Sequence, residues 1–140
     1  MIQYPITFET KTVSDAAMRS TWEVSSGEQT TTCCIPPEFA GPGGGFSPED
    51  LFAQALTNCF LATFKVICEN SKVTVAQVEV AGRLTVDKNE SRQPVMKAFH
   101  FTIRLHGASH PDRAKSIAKK AIESGFILNS VKTVVTYNIE

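Results

Sequence analysis

An α+β domain is what this chain predicts, and three patterns carry that expectation. Alternating apolar residues near both ends mark strands. A long apolar stretch beginning at Ser47 has helical spacing, and a shorter one recurs from Ala114 to Ile122. The 140 residues, 42% of them hydrophobic, are enough for one sizeable core. Neither an internal repeat nor a linker between two hydrophobic blocks divides the sequence, so residues 1–140 read as a single domain.

Taken in order, Ile2, Tyr4, Ile6 and Phe8 alternate along an extended segment, and Met18 to Val24 repeats the pattern after a polar turn at Ser14–Asp15. Thr30 to Ile35 forms a further strand, ended by Pro36 and Pro37, which lack the N–H that a ladder needs. After the flexible GPGGGFSPED connection, Ser47 caps a helix, Pro48 takes its first turn and Asp50 completes a capping-box-like arrangement. Leu51, Phe52, Ala55, Cys59, Ala62, Val66 and Cys68 share one broad apolar surface. Leu56, Phe60 and Phe64 widen it, so this helix is expected to be deeply buried and to end near Glu69–Ser71.

Val73 to Val86 reads as a long strand bent near Gly82. Phe99, Phe101, Ile103 and Leu105 then alternate with His100, Thr102, Arg104 and His106, giving one core face and one polar face. Ser109-His110-Pro111-Asp112 opens a second, amphipathic helix that Gly125 stops, and Val131 to Ile139 supplies the last strand.

Fourteen basic residues balance fourteen acidic ones, so no chain-wide field favours nucleic acid or an acidic membrane surface. The mixed N-terminus lacks the pattern of a signal peptide, and no uninterrupted run of 18 apolar residues marks a membrane span. A cytoplasmic, reducing compartment is therefore expected. The four cysteines fit it, because Cys33–Cys34 and Cys59–Cys68 have neither the density of a secreted disulfide scaffold nor C-x-x-C spacing. On a helix, Cys59 and Cys68 stand about 13 Å apart, beyond disulfide reach.

The Gly43–Gly45 run lacks the Lys-Ser/Thr ending of a phosphate loop and the strand context of a dinucleotide fingerprint, so it reads as a structural loop. His100 and His106 stand about 20 Å apart on a strand, too far to share a metal. No cofactor or metal is expected. Glu49 suits the positive end of the helix dipole. Cys59 offers more chemistry: as a thiolate it can attack peroxide oxygen, given a nearby cation or directed hydrogen bonds. Arg19 is a candidate cation, with Glu49 holding its guanidinium through a charge-assisted contact.

The stretch PPEFAGPGGGFSPEDLFAQALTNCFLATF resembles the osmotically inducible protein C and organic hydroperoxide resistance superfamily. The Pro-Pro-Glu-Phe opening, the glycine-rich connection, the Ser47-Pro48-Glu49 helix start and Asn58-Cys59-Phe60 carry the likeness, and the order of the later elements extends it over nearly the whole chain. The resemblance implies antiparallel sheets around a long central helix and a second helix, and an intertwined homodimer with sites at the subunit interface. It also implies that Cys59 takes oxygen from an organic hydroperoxide and becomes a sulfenate, that Glu49 positions a basic side chain, and that Arg19 is the best basic candidate. Met18-Arg19-Ser20-Thr21 does not reproduce the family's glycine-flanked arginine.

A second departure concerns turnover. Where the family carries a resolving cysteine in its second-helix region, this chain reads Gly125-Phe126-Ile127-Leu128-Asn129-Ser130, with Phe126 expected at about that place and packed in the core. The usual sulfenate-to-disulfide step then needs another thiol. An external low-molecular-weight or protein thiol is the favoured reductant, Cys33 or Cys34 the less favoured one, and Cys68 is too far along its helix. The expected activity is an atypical thiol-dependent peroxidase. The alternatives are a noncatalytic dimer or a binder of small apolar ligands with the same architecture, and, more weakly, a protein-interaction domain that dimerises through exposed apolar residues.

Overall fold

A computed structural model describes all 140 residues, which form two compact units, Met1–Leu51 and Phe52–Glu140. The first unit holds an antiparallel sheet of β1 (Thr10–Val13), β2 (Trp22–Ser26) and β3 (Gln29–Cys33), in that spatial order. The expected strand at Ile2–Phe8 does not form. Met1–Glu9 carries no regular structure and every residue in it is exposed, because nothing in this unit covers one side of the alternating pattern. Met18 and Arg19 likewise lie in a turn before β2 rather than in a strand. Beyond β3 the glycine-rich connection doubles back: Phe46 N donates to Thr32 O at 2.9 Å, and Cys34 N to Phe46 O at 3.0 Å. The glycine run thus lies in a loop between β3 and the helix that follows.

Helix α1 (Pro48–Ser71) starts where expected. Asp50 N donates to Ser47 Oγ at 3.0 Å and Ser47 N to Asp50 Oδ2 at 2.9 Å, so each residue satisfies a backbone N–H that the helix start leaves free. Burial along α1 is narrower than its composition suggests. Leu56, Phe60, Phe64 and Cys68, spaced by four, enter the core of the second unit, whereas Leu51 and Val66 are 38% and 61% exposed. No uninterrupted apolar run marks α1, but by length and mean hydropathy over one 18-residue window it is apolar enough to cross a membrane, and 22% of that window is buried.

The second unit pairs β4 (Val75–Lys88) with β5 (Pro94–Ala108) in a long antiparallel hairpin, and β6 (Val134–Ile139) adds parallel to β5. Phe99, Phe101 and Ile103 are fully buried, while His100, Arg104 and His106 face solvent, as the period-two pattern requires. The register shift in β4 falls at Thr85/Val86 rather than Gly82. Gly82 serves close packing instead: a Cβ there would meet the Phe99 ring and stand 2.9 Å from Thr57 Oγ1 of α1. Phe60 links α1 to the sheet, its ring 5.7 Å from Phe101 and 5.6 Å from Phe64. Helix α2 (Pro111–Ser124) buries Ala114, Ile117, Ala118, Ala121 and Ile122 in the same core and ends at Gly125.

Candidate active site

Cys59 occupies the middle of α1, one residue before the buried Phe60, and is half-buried. Its sulfur meets the chain where α2 ends. A Cβ on Gly125 would stand 2.8 Å from Cys59 Sγ, 3.2 Å from Leu128 Cδ1 and 3.3 Å from the Ala121 carbonyl oxygen. The φ of Gly125 is −66°, open to any residue, so it is the close approach of the sulfur that calls for glycine here. Behind it a short 3-10 turn, Leu128–Ser130, holds the loop: Asn129 N donates to Gly125 O at 2.9 Å and Ser130 Oγ to Phe126 O at 2.7 Å.

This arrangement corrects the expectation for Phe126. It is not packed in the core but 74% exposed, because the turn after α2 carries it to the surface, and the residue facing Cys59 is Gly125. From the sequence Gly125 reads only as a helix stop, although it adjoins Phe126 in the segment after α2.

All four cysteines are free, and they differ in setting. Cys33 and Cys34 are 2% and 1% exposed and Cys68 is 9% exposed. Burial pushes the Cys33 thiol above its ordinary value, with neighbouring Cys34 adding to the effect, and burial alone does the same to Cys68. Cys34 Sγ donates to the Gly45 carbonyl at 3.3 Å. Cys33, Cys34 and Cys68 are thus shielded by burial, and Cys59 alone is half-buried.

Glu49 is half-buried in the first turn of α1, ten residues before Cys59, which is about 15 Å of helical rise. Arg19 is exposed, and its Nη1 donates to the Ala40 carbonyl at 3.4 Å, a long bond. No ion pair joins Arg19 to Glu49 within the chain; the pairs present are Lys97–Asp87, Arg104–Glu79 and Arg104–Glu140. One copy of the chain therefore leaves the Arg19 guanidinium and the Glu49 carboxylate uncoupled.

Residues 41–140 match the family model described as OsmC-like protein. YmaD of Bacillus subtilis is 26% identical over 121 residues, 84% of this chain and 81% of that protein. An OsmC-like protein of Vibrio cholerae superposes with a TM-score of 0.85 at 17% identity, over 97% of this chain and 100% of that one. An organic hydroperoxide resistance protein OsmC of Legionella pneumophila superposes with a TM-score of 0.75 at 18% identity, over 98% and 97% of the two chains. The structural likenesses establish the α+β fold of two sheets and two helices as one shared with these proteins.

Proposed function

Because the chain belongs to the OsmC-like family, we propose that it is a thiol-dependent peroxidase that reduces organic hydroperoxides through Cys59, with an external thiol completing the cycle. The observation that carries this reading is the setting of Cys59: it is the one cysteine that is half-buried rather than buried, and it sits beside the end of α2 within the segment that matches the family. A structural neighbour named for organic hydroperoxide resistance supports the substrate class.

In this reading the Cys59 thiolate attacks the terminal oxygen of R–O–O–H. The O–O bond breaks, the alkoxide leaves as R–OH after taking a proton, and Cys59 becomes the sulfenic acid Cys59–SOH. An external thiol R′SH then displaces water to give Cys59–S–S–R′, and a second R′SH restores Cys59–SH and leaves R′S–SR′. Once two copies associate, Arg19 supplies the positive charge that favours the thiolate and Glu49 holds Arg19 by a charge-assisted hydrogen bond that one copy alone does not make.

A second copy of the chain is part of the proposal. Its support is the apolar surface of α1 that one copy leaves open at Leu51 and Val66, together with the exposed Ile2, Tyr4, Ile6 and Phe8. A homodimer would cover both, and it would bring a second Arg19 and Glu49 to the assembly. The thiol chemistry fits a cytoplasmic location, where reductant is plentiful, and the zero net charge gives no reason to invoke nucleic acid or a membrane surface.

The test is turnover. Purified reduced protein should consume a small alkyl or aryl hydroperoxide only when a thiol is added. Cys59→Ser should abolish consumption while Cys68→Ser retains it. Equal turnover by Cys59→Ser and the native chain would reject the reading.

A further inference from the structure

We propose that the outward face of the β4–β5–β6 sheet binds a phosphate group, free or carried by a small molecule, at Arg83, His100 and Thr102. The site is separate from Cys59 and does not rest on the peroxidase reading. A cleft of about 370 Å³ lies there, lined by Ala81, Gly82, Arg83, His100 and Thr102, a size that suits a small ligand. Strand register brings its polar groups together. Arg83 stands opposite His100 in the β4–β5 pairing, with Cβ atoms about 5 Å apart, and Ala81 stands opposite Thr102. His100 in turn stands opposite Thr136 of β6, and its Nδ1 is 2.7 Å from Thr136 Oγ1. That bond orients the ring and leaves Nε2 as the nitrogen able to meet a ligand.

Charge sets this row apart from the rest of the sheet. Arg83 takes part in none of the chain's ion pairs, and no carboxylate lines the cleft. The acidic residues of β4, Glu79 and Asp87, each lie four positions from Arg83, about 13 Å along the strand. Both are already engaged, Glu79 with Arg104 at 3.2 Å and Asp87 with Lys97 at 3.8 Å. An uncompensated guanidinium beside an imidazole and a hydroxyl offers donors from several directions, which a tetrahedral oxyanion accepts better than a planar carboxylate does. The platform beneath them is firm. On the inner side of the sheet a Cβ at Gly82 would meet the Phe99 ring and stand 2.9 Å from Thr57 Oγ1, so β4 sits close against α1 at this point. Ala81 beside it brings only a methyl group to the outward face, and the depression is thus built on strands rather than on a loop.

The experiment titrates the isotope-labelled full chain with inorganic phosphate, phenyl phosphate or acetate, chloride holding the ionic strength constant, and follows the amide and side-chain signals by NMR. Both phosphate compounds should move the signals of Gly82, Arg83, His100 and Thr102 to saturation. Tighter binding of phenyl phosphate would identify a phosphate ester as the ligand, and equal binding the free ion; either supports the proposal. Arg83→Gln should weaken binding about tenfold or more. Ala81→Glu should abolish it, because the new carboxylate stands about 7 Å along the same face and gives Arg83 a partner within the chain. Both positions are exposed, so circular dichroism should show the native fold.

Two further variants serve as controls. Lys119→Gln, at an exposed position of α2, and Cys59→Ser should both bind phosphate as the native chain does, so loss of peroxide turnover and loss of phosphate binding are separable. Signal changes no larger than those with chloride alone would overturn the proposal, as would acetate binding as tightly as phosphate or an unchanged affinity in Arg83→Gln. If Arg83→Gln does not fold, Ala81→Glu decides on the same criterion.

Discussion

Cys59 Sγ stands 2.8 Å from the point that a Cβ on Gly125 would occupy, too close for a methyl group to fit there unless a neighbour shifts. Overpacking at such a point costs about 1–3 kcal/mol. Gly125→Ala should therefore lower stability in denaturant titrations by that amount. The penalty should shrink in a Cys59→Ala background, where the sulfur is gone, giving a coupling that a double-mutant cycle resolves. Additive effects would mean that the two residues do not touch.

Thiol reactivity should follow the same geography. With the native protein at neutral pH, iodoacetamide should modify Cys59 first, and Cys33, Cys34 and Cys68 only after denaturant is added, because these three are buried. Peptide mapping over time checks the order. Since burial raises the folded-state values of Cys33 and Cys68, the native fold binds protons there that the unfolded chain releases above the ordinary value of 9.0. Their contribution to stability is full below that pH and is lost as pH rises through the elevated folded-state values. Cys68→Ala should flatten this alkaline loss relative to the native chain.

Much of the fold was legible because several signals were local. The reciprocal bonds of Ser47 and Asp50 lie within four residues, and the Phe99–Leu105 alternation declares its own buried face. What could not be read depended on distant partners. Ile2–Phe8 has the pattern of a strand but no neighbour in its unit to pair with, and Gly82 reads as a bend until Phe99 and Thr57 are seen packed over it. Of the candidate residues, Cys59 and Glu49 could be named from their places on one helix. The importance of Gly125 could not, because it comes from a contact across 66 residues of sequence.

Loss of the α1 cap has a definite expected cost. Ser47→Ala should destabilise the chain by about 1 kcal/mol, and Asp50→Ala by a similar amount. The double variant should lose less than the sum, because each substitution already frees a backbone N–H in the same box. Thermal or chemical unfolding of the three variants measures this.

Association should depend on the uncovered surface of α1. Val66 is 61% exposed, so Val66→Glu should leave the fold intact by circular dichroism. A carboxylate buried without a partner in the proposed dimer interface should nevertheless shift the protein toward monomer in sedimentation experiments. An unchanged dimer would place the interface elsewhere, and a monomeric native chain would remove it.

The central claim is that the Cys59 sulfur accepts the hydroperoxide oxygen and supplies the two electrons that reduce it, and one titration addresses it most directly. Fully reduced native protein is mixed with increasing organic hydroperoxide, with and without a small thiol, and the mass of every cysteine-containing peptide is followed. One oxygen should appear on Cys59 alone in stoichiometric proportion to the hydroperoxide lost, and added thiol should convert it through a mixed disulfide back to the free thiol. Loss of hydroperoxide with Cys59 unmodified, or oxidation spread equally over Cys33, Cys34, Cys59 and Cys68, would contradict the account.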